Sequence, residues 1–520
     1  MLMLIRQITT DILIIGGGLA GLSAAVEAAG TGHKVTLVSK GKAGRSGNTV
    51  ITQNNMSVVW DGLRTDDSVE RYIEDTMAGG ANLNDRALVQ ILASEAAEAI
   101  SWLMEQGVEF QKDKDDLLIK GSPGHSRFRT VRAVGVSKSN RTLGLGLSVP
   151  LADRAKGLGV ELMENVIIVS LLVDIGRVCG AIGLDKKEAI VYILHADSVV
   201  LAGGGAGGLF ELTTNTSDVC GDSFALGYLA GATTRDMEFI QFHPTVTVAT
   251  PRLVISTAPF ADGAVLRNGL GEAYMGRYSH QADMANRDVM ARANFEEILR
   301  GRGTDRGGVY VDFSNVAQEV MIKNYPDIWT VLQGATKIEV APAQHFINGG
   351  IAIDPKCRSS IPGLWVCGEA AGGVHGANRL AGNALTEAVV FGRRAGRWAG
   401  TESEGRKMGT WSGRFIGEFL EAKFGGWSGP ELSPNLSPNL EAAASWKEVK
   451  LDLKRSMGLH LGVIRSDKGL QQAKADLMSI EERLNLMPLR TYGDLLHYCE
   501  QKMMVIAANL MVDAALQRCN

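Results

Sequence analysis

Three short apolar runs along the chain each end at a glycine, and each run predicts a buried strand. They are residues 12–15 before Gly16, residues 199–202 before Gly203, and residues 364–367 before Gly368. An unbroken apolar run bounded by glycine is typical of a strand that is buried on both faces of a parallel sheet. The three strand ends span more than 350 residues of sequence. They therefore predict one large sheet whose loops hold one extended ligand.

The first strand end lies in a segment whose pattern predicts a strand, a turn, a helix and a second strand. Gly16, Gly18 and Gly21 have the GxGxxG spacing, and an alanine-rich helix and a second apolar strand follow. In such a unit the glycines allow the tight turn, the approach of a pyrophosphate and the close packing of the helix. The helix amino terminus favours an anion because its N–H groups are unpaired. The unit predicts dinucleotide binding, although Ser39 and Lys40 stand where an acidic residue usually holds the ribose.

The pattern changes in the later part of the chain. A stretch of roughly 110 residues with mixed pattern separates the second and third strand ends, and it predicts an inserted domain. After residue 405 the pattern becomes helical, and SGPELSPNLSPNL at 428–440 is typical of a linker. Beyond it, helical spacing relates Leu470, Ala473, Leu477, Ile480 and Leu484. We interpret this tail as a packing module.

Composition and charge narrow the class of protein. A chain of 520 residues exceeds one hydrophobic core, so two to four domains are expected. The net charge of -4 argues against nucleic acid as a partner, because nucleic-acid-binding surfaces are basic. The six cysteines include no CxxC pair, so no metal site and no disulfide framework are expected, and the compartment is expected to be reducing. No signal peptide and no membrane span of ~18 apolar residues are predicted, which favours a cytoplasmic protein or one held at a membrane through a partner.

Five motifs in fixed order resemble a known family. They are GGGLAGLSAA at 16–25, QFHPT at 241–245, NRD at 286–288, HFINGG at 345–350 and GEAAGGVHGANRLAGN at 368–383. Together they resemble the flavoprotein subunit family of fumarate reductase, succinate dehydrogenase and L-aspartate oxidase. The resemblance implies an α/β fold, with a Rossmann-like FAD-binding domain, an inserted α+β capping domain and a C-terminal helical domain. The expected boundaries are 1–238 and 352–405 for the FAD-binding domain, 239–351 for the capping domain, and 406–520 for the helical domain.

FAD is the cofactor that this resemblance implies. Three loops that hold one ligand along its length also favour FAD over a transient nicotinamide. Respiratory members carry RSHT, whose histidine bonds covalently to the flavin, whereas this chain reads GRSGNT at 44–49, so we expect non-covalent FAD. The expected cofactor-binding residues are Gly16, Gly18, Gly21, Ser39, Lys40, Ser46, Gly47, Asn48, Thr49, Gly203, Gly204, Asp222, Glu369, Asn383 and Leu385.

The resemblance also implies a substrate site between the flavin and the cap. Arg379 of HGANR is expected to grip a substrate carboxylate, since a planar guanidinium suits an anion with two oxygens. His243, Ser256, Thr257 and His345 are the other expected substrate-binding residues.

Arg287 of NRD is the implied catalytic residue. It matches the arginine that protonates one alkene carbon while flavin N5 gives hydride to the other. A guanidinium is normally too weak an acid for this task, with a pKa above ~12. The role therefore requires a dry site in which proton transfer is coupled to hydride delivery.

The proton supply to Arg287 departs from the family pattern. Family members typically carry TEAxRG after the HPT segment, and its glutamate and arginine relay protons. Here residues 256–264 read STAPFADGA, which places Thr257 and Phe260 at the relay positions. Asp262 is a candidate replacement if its side chain turns inward, although an aspartate before glycine is more typical of a turn. We therefore expect slow fumarate reduction.

Three functions remain open on the sequence. The leading one is an FAD-dependent oxidoreductase that acts on the CH–CH bond of a small carboxylate or dicarboxylate, like fumarate reductase or succinate dehydrogenase. The second is an amino-acid oxidase of the L-aspartate oxidase type. The third is an electron-transfer subunit with little activity alone, which predicts an iron–sulfur or haem partner subunit. Because cluster-binding cysteines are missing, electrons must come from another protein or a small carrier such as a dithiol, or go to oxygen.

The GRSGNT segment predicts that acid releases the flavin. Precipitation of the purified holoprotein with trichloroacetic acid should leave yellow flavin in the supernatant, because no histidine is present there to form the covalent bond. Flavin that stays with the denatured chain after washing would contradict non-covalent attachment.

Overall fold

The structure is a computed structural model that describes residues 4–60, 66–122, 124–135, 143–250, 252–403 and 440–518. The predicted linker at 428–440 lies outside these ranges, apart from its last residue.

The elements that precede the insertion are β1 (Leu4–Ile15), α1 (Leu19–Ala29), β2 (Val35–Ser39), β3 (Asn55–Ser57), α2 (Val69–Gly79), α3 (Arg86–Glu105), β4 (Lys112–Asp113), β5 (Asp116–Leu117), β6 (Thr130–Arg132), α4 (Leu145–Gly157), β7 (Glu161–Glu164), β8 (Val166–Asp174), β9 (Arg177–Asp185), β10 (Ile190–Leu201), α5 (Asp222–Leu229) and β11 (Thr234–Arg235). The insertion contains β12 (Ile240–Thr247), α6 (Ala258–Ala261), β13 (Val265–Arg267), α7 (Arg287–Glu297), β14 (Val309–Asp312), α8 (Gln318–Asn324), α9 (Pro326–Leu332) and β15 (Lys337–Ile347). The chain continues with β16 (Gly350–Ala352), β17 (Leu364–Val366), β18 (Ala371–Gly372), α10 (Asn383–Thr401), α11 (Leu440–His460), α12 (Asp467–Asn485) and α13 (Tyr492–Gln517).

One sheet joins the three strands that the glycine junctions predicted. Its strands β7, β2, β1 and β10 are parallel neighbours, β17 runs parallel to β10, and β8 and β9 add an antiparallel hairpin. The prediction of a shared sheet is confirmed, and the loops after β1, β10 and β17 meet at one edge. The first strand is longer than predicted, because its polar first half also pairs with β10, from Leu4 opposite Ile190 onward.

Close backbone contact explains the glycines at this edge. Gly16 has a φ of +123°, and a Cβ there would lie 2.3 Å from the carbonyl oxygen of Ala202 at the end of β10. A Cβ on Gly21 would lie 1.9 Å from the carbonyl oxygen of Gly16. The predicted tight turn and the close helix packing are confirmed, since no larger residue fits either position.

The insertion forms a separate layer with its own core. Strands β12, β15, β14 and β13 make an antiparallel sheet, and helices α6 to α9 cover it around buried residues such as Leu266, Met290 and Val311. Strands β11 and β16, which flank the insertion, pair with each other. This pairing fixes the base of the cap on the FAD-binding domain.

The C-terminal helices pack on the main sheet's domain. Leu470, Ala473, Leu477, Ile480 and Leu484 are all buried on α12, which confirms the predicted helix. Their hydrophobic cluster is continuous with that of the FAD-binding domain. The hydroxyl of Tyr492 donates to the carbonyl of Ile190 at 2.8 Å.

Helix α3 is the one helix among the described residues that is long and apolar enough to cross a membrane, whereas the sequence pattern had predicted no such stretch. Half of its apolar window is buried inside the protein, and it packs against α2 and α10. A core helix has these same properties.

Candidate active site

The three glycine loops and the loop after β2 build the cofactor cradle. A Cβ on Gly205 would lie 2.5 Å from Oε1 of Glu369, and a Cβ on Gly368 would lie 2.7 Å from Ala20 on α1. The loops after β10 and β17 are therefore in contact with each other and with the first helix. The cradle closes around the amino terminus of α1, where unpaired N–H groups favour a phosphate.

A 3-10 turn at Asn48–Ile51 forms one wall of the cradle. Thr49 Oγ1 accepts the N–H of Leu19, 3.0 Å away, at the start of α1. Asn48 donates to Asn215 Oδ1 at 2.8 Å and to Glu369 Oε2 at 3.4 Å. Burial raises the pKa of Glu369 to about 7, against the opposing effect of the Ile347 N–H. This carboxyl group therefore titrates near neutral pH.

The cradle has polar groups that suit FAD. Asp222 Oδ1 and Ser223 Oγ, in the first turn of α5, are buried and have no hydrogen-bond partner among the described residues. Ser223 Oγ lies 2.6 Å from where a Cβ on Gly203 would stand, so both residues border the second glycine loop. Hydroxyl and carboxylate groups can bond ribose hydroxyls, and glycine backbone with helix amino termini can hold a pyrophosphate. The residues present fit the cofactor.

Some residues expected at the cofactor use their side chains elsewhere. The amide of Asn383 accepts from the Tyr72 hydroxyl at 2.9 Å and donates to Thr76 at 3.2 Å. Ser46 donates to the carbonyl of Lys42 at 2.7 Å. Cofactor contacts of Asn383 and Ser46 are therefore expected from the backbone.

The remaining expected positions have these placements: Ser39 is buried at the end of β2, Gly47 and Gly204 have φ values of +77° and +82°, and Leu385 is half-buried in the first turn of α10.

Two histidines come together where β12 pairs with β15. His243 lies opposite Ala343, and irregular register follows it. The rings of His243 and His345 contact edge to face, with centroids 5.8 Å apart. The two motifs QFHPT and HFINGG are therefore joined by strand pairing in the cap.

His243 is held as a neutral hydrogen-bond donor. Its Nδ1 accepts the N–H of Thr245 at 3.4 Å, which places the ring proton on Nε2. Burial, followed by the charges of Arg287, His345 and Arg379, lowers the pKa of His243 well below its ordinary value. In the described part of the chain, Nε2 has no hydrogen-bond partner. The group can therefore donate to a bound anion.

His345 is held by the loop before α5. Its Nδ1 lies 2.8 Å from Thr214 Oγ1, and Asn215 donates to its carbonyl at 2.9 Å. Burial, then Arg379 and Arg287, lowers the pKa of His345 to about 3. Sequence reasoning missed Thr214 and Asn215, because no motif marks them.

Arg379 is buried against neutral groups. The residue is 9% exposed. Its guanidinium donates to Gln241 Oε1 at 2.8 Å and to the Leu380 carbonyl at 3.1 Å, and it lies 4.8 Å from the ring centre of Phe346. Nε is buried without a partner among the residues described. Burial, then the charge of Arg287, lowers the pKa of Arg379 to about 10, so the group is still a cation at neutral pH.

Gln241 forms hydrogen bonds with both the side chain and the backbone of Arg379. Besides accepting from the guanidinium, its amide donates to the Arg379 carbonyl at 2.9 Å and to Asn378 Oδ1 at 2.7 Å. Sequence reasoning gave no role to this glutamine of QFHPT. Its position two residues before His243, on the same face of β12, was the available signal.

Arg287 begins helix α7 beside the same cluster. Its charge acts on His243, His345 and Arg379. The side chain is half-buried, its Nε is buried without a described partner, and burial lowers the pKa of Arg287. A helix amino terminus also disfavours a cation. Both effects make this guanidinium a stronger acid.

The relay positions lie on a segment that runs beside β12. The N–H of Ile255 donates to the Thr245 carbonyl at 2.9 Å, and Ser256 and Thr257 follow, both half-buried. Phe260 is 6% exposed and belongs to the hydrophobic core of the cap. An apolar side chain therefore occupies the second relay position.

The candidate relay role of Asp262 is wrong. This residue is exposed at the end of α6, and its carboxylate accepts the Tyr325 hydroxyl at 2.6 Å. Gly263 follows with a φ of +106°, which confirms the turn interpretation.

No cluster of three or more potential metal ligands occurs among the described residues.

Comparison with known proteins agrees with this geometry. A family model described as "FAD binding domain" matches residues 11–385. A fumarate reductase (CoM/CoB) subunit of Methanothermobacter marburgensis is 34% identical, over 98% of this chain and 92% of that protein. L-aspartate oxidase of Caulobacter vibrioides is 34% identical, over 97% of this chain and 90% of that protein. The structure of E. coli quinol fumarate reductase FrdA aligns with a TM-score of 0.85 at 26% identity, covering 99% of this chain and 90% of that one.

Replacement of Arg379 tests its interpretation as an anion clamp. Arg379→Ala should weaken binding of a dicarboxylate by roughly 2–5 kcal/mol, since a buried carboxylate would lose its charged partner. Titration of the flavin absorbance with succinate measures this, and FAD content should stay unchanged. Arg292→Ala, which removes an exposed arginine that pairs with Asp288 on α7, is the matched control. Equal succinate affinity in both variants would contradict the clamp.

Proposed function

The chain belongs to the FAD-binding family of fumarate reductase, succinate dehydrogenase and L-aspartate oxidase flavoproteins and is an FAD-dependent oxidoreductase, and from this premise we propose that it acts on the CH–CH bond of a four-carbon dicarboxylate, fumarate or succinate. The proposal rests on one observation. Two guanidinium groups and two neutral imidazoles form one cluster, and the hydrogen bonds of Arg379 go to neutral oxygens. A dianion would supply the missing negative charge.

Each residue of the cluster has a task in this proposal. Arg379, kept in place by Gln241, binds and orients one carboxylate. His243 and His345 donate hydrogen bonds without adding charge. FAD, when bound in the cradle of glycine loops, supplies the hydride chemistry. Arg287 gives a proton to the alkene carbon from its guanidinium, and exclusion of water by the cap keeps that proton from exchanging.

Return of a proton to Arg287 limits the proposed reaction. Thr257 can accept and donate one hydrogen bond, but Phe260 carries no exchangeable proton and lies in the cap core. Asp262 faces solvent. We therefore propose slow turnover with a marked solvent isotope effect.

L-aspartate oxidation is the second candidate, favoured by the similarity to the Caulobacter enzyme. Aspartate has an ammonium group, which requires an acceptor. The buried side-chain atoms without described partners on His243, Arg287 and Arg379 are all nitrogens, and those on the two arginines are donors only. Glu387 Oε1 is an acceptor without a described partner, and Glu387 acts on Arg379, but the cluster itself presents an excess of donors, which favours a substrate without an ammonium group. Hydrogen peroxide formed from L-aspartate in air would identify the oxidase.

We further propose that electrons reach the flavin from a partner protein or a small carrier such as a dithiol. Support comes from the name of the Methanothermobacter relative, which describes one component of a larger enzyme and includes CoM/CoB. The chain itself offers no CxxC pair for an iron–sulfur cluster.

Anaerobic reoxidation tests the proposed reaction. The holoprotein is reduced with a viologen dye and mixed with fumarate, and the flavin absorbance should return as succinate forms. Crotonate, which has one carboxylate, is the matched control and should react far more slowly. Reoxidation by crotonate at the fumarate rate, or none by fumarate, would contradict the proposal.

Arg287→Lys separates chemistry from binding. The variant keeps a positive charge, so succinate affinity should change little, but the rate of reoxidation by fumarate should fall by at least the ~10²-fold typical of losing a positioned acid. Asp262→Asn is the control and should leave the rate unchanged, because Asp262 faces solvent. A harmless Arg287→Lys would show that another group donates the proton.

A further inference from the structure

A cluster of four half-buried charges joins the C-terminal helices to the edge of the cofactor cradle. Lys40 follows β2, and its ammonium lies 3.0 Å from Asp222 Oδ2 and 3.7 Å from Glu500 Oε2. Glu500 belongs to α13, and its Oε1 accepts from Lys450 on α11. The two cations and the two carboxylates balance each other's charge.

Glu500 is held as a carboxylate by the two lysines. Burial raises the pKa of a carboxyl group, but Lys40 and Lys450 outweigh burial and bring the pKa of Glu500 to about 2. For Asp222 the balance is opposite, because burial raises its pKa more than Lys40 lowers it. The charge on Glu500 is therefore the more firmly fixed of the two.

One of the two carboxylate oxygens of Asp222 is available to another partner. Its Oδ2 binds Lys40, whereas its Oδ1 is buried and lacks a hydrogen-bond partner within the described ranges. Ser223 Oγ, the next group in the first turn of α5, is also buried and unpartnered there. These are the two polar groups that suit ribose hydroxyls at the second glycine loop.

Helix α13 also fixes the start of α5. Gly221, which precedes Asp222, has a φ of +86°, and a Cβ there would lie 2.6 Å from the Cβ of Ala507 on α13. Glu500 and Ala507 are seven residues apart on α13, about two turns, so they lie on one face of the helix. One face of α13 therefore sets both the backbone before Asp222 and the charge beside it.

We propose that Glu500 is a positioning residue of the FAD site, and that it acts through Lys40. An ammonium has three donors, and with only one carboxylate nearby it would draw both oxygens of Asp222. Because Glu500 also pairs with the Lys40 ammonium, Asp222 Oδ1 is left to accept a hydrogen bond from a hydroxyl of the cofactor. The C-terminal helices are then part of the cofactor site, and our interpretation of them as a packing module alone is too narrow.

Glu500→Gln tests this inference, with FAD affinity and apoprotein stability measured separately. FAD is removed, the apoprotein is titrated with FAD by fluorescence quenching, and Tm is measured for apo and holo forms. Glu500→Gln should weaken FAD binding at least about tenfold and narrow the difference between holo and apo Tm, because the stabilisation by a ligand grows with the logarithm of its affinity. Glu481→Gln, which removes a half-exposed partner of Lys502 on the same helix pair, is the matched control and should change neither.

Two outcomes overturn the inference. One is an unchanged FAD affinity with equal losses of Tm in apo and holo forms, which would show a purely structural role. The other concerns the double variant. If Glu500 acts through Lys40, Glu500→Gln should add little to the loss of FAD affinity that Lys40→Met already causes, so losses that add in full would overturn the inference. Should Glu500→Gln fail to fold, Glu500→Asp replaces it. Weakened FAD binding with an unchanged apo Tm then supports the inference, and an unchanged affinity overturns it.

Discussion

The constraint on which the rest of this site depends is a pair of arginines, Arg379 buried and Arg287 half-buried, that form no ion pair with a carboxylate of the described residues. A buried cation is costly unless it is hydrogen-bonded and paired. Arg379 has the hydrogen bonds, from Gln241 and the Leu380 carbonyl, but these partners are neutral. Glu369 and Glu387 act on Arg379 without forming an ion pair with it, so a direct charged contact is left for a ligand. The same constraint keeps His243 and His345 neutral, because a third cation beside the arginines would raise the cost further.

The loop that carries Arg379 is held by its backbone from several sides. Asn84 donates to the Val374 carbonyl, Asn348 to the Ala377 carbonyl, and Ser57 to the Ala381 carbonyl. Glycine allows the tight path of this loop, but these side-chain amides and hydroxyls fix it. Asn84 lies in the loop between α2 and α3, Asn348 follows β15 of the cap, and Ser57 ends β3, so the clamp is rigid only when the cap and the FAD-binding domain are folded together. This explains why a small glycine-rich loop can carry a full charge into the interior.

Sequence patterns predicted the elements whose causes are local. The glycine junctions follow from backbone contact at Gly16 and Gly21, and the spacing of Leu470 to Leu484 follows from one buried helix face. The contacts of Gln241 with Arg379 and of Glu500 with Lys40 could not be predicted, because only the tertiary fold brings these distant residues together, although the position of Gln241 two residues before His243 placed it on the same face of β12. Asp262 shows the converse. Its sequence position suggested a relay, but the orientation of its side chain toward Tyr325 excludes it.

We propose that the cationic cluster of Arg287 and Arg379 binds a dianion without an ammonium group. The most direct test compares dissociation constants of succinate, L-aspartate and propionate for the oxidised holoprotein at pH 7.5, measured from perturbation of the flavin absorbance. Succinate should bind at least about tenfold, or 1.4 kcal/mol, more tightly than either of the others, since propionate leaves one cation unpaired and aspartate brings a third cation into the cluster. Binding of L-aspartate or propionate as tight as that of succinate would contradict the account.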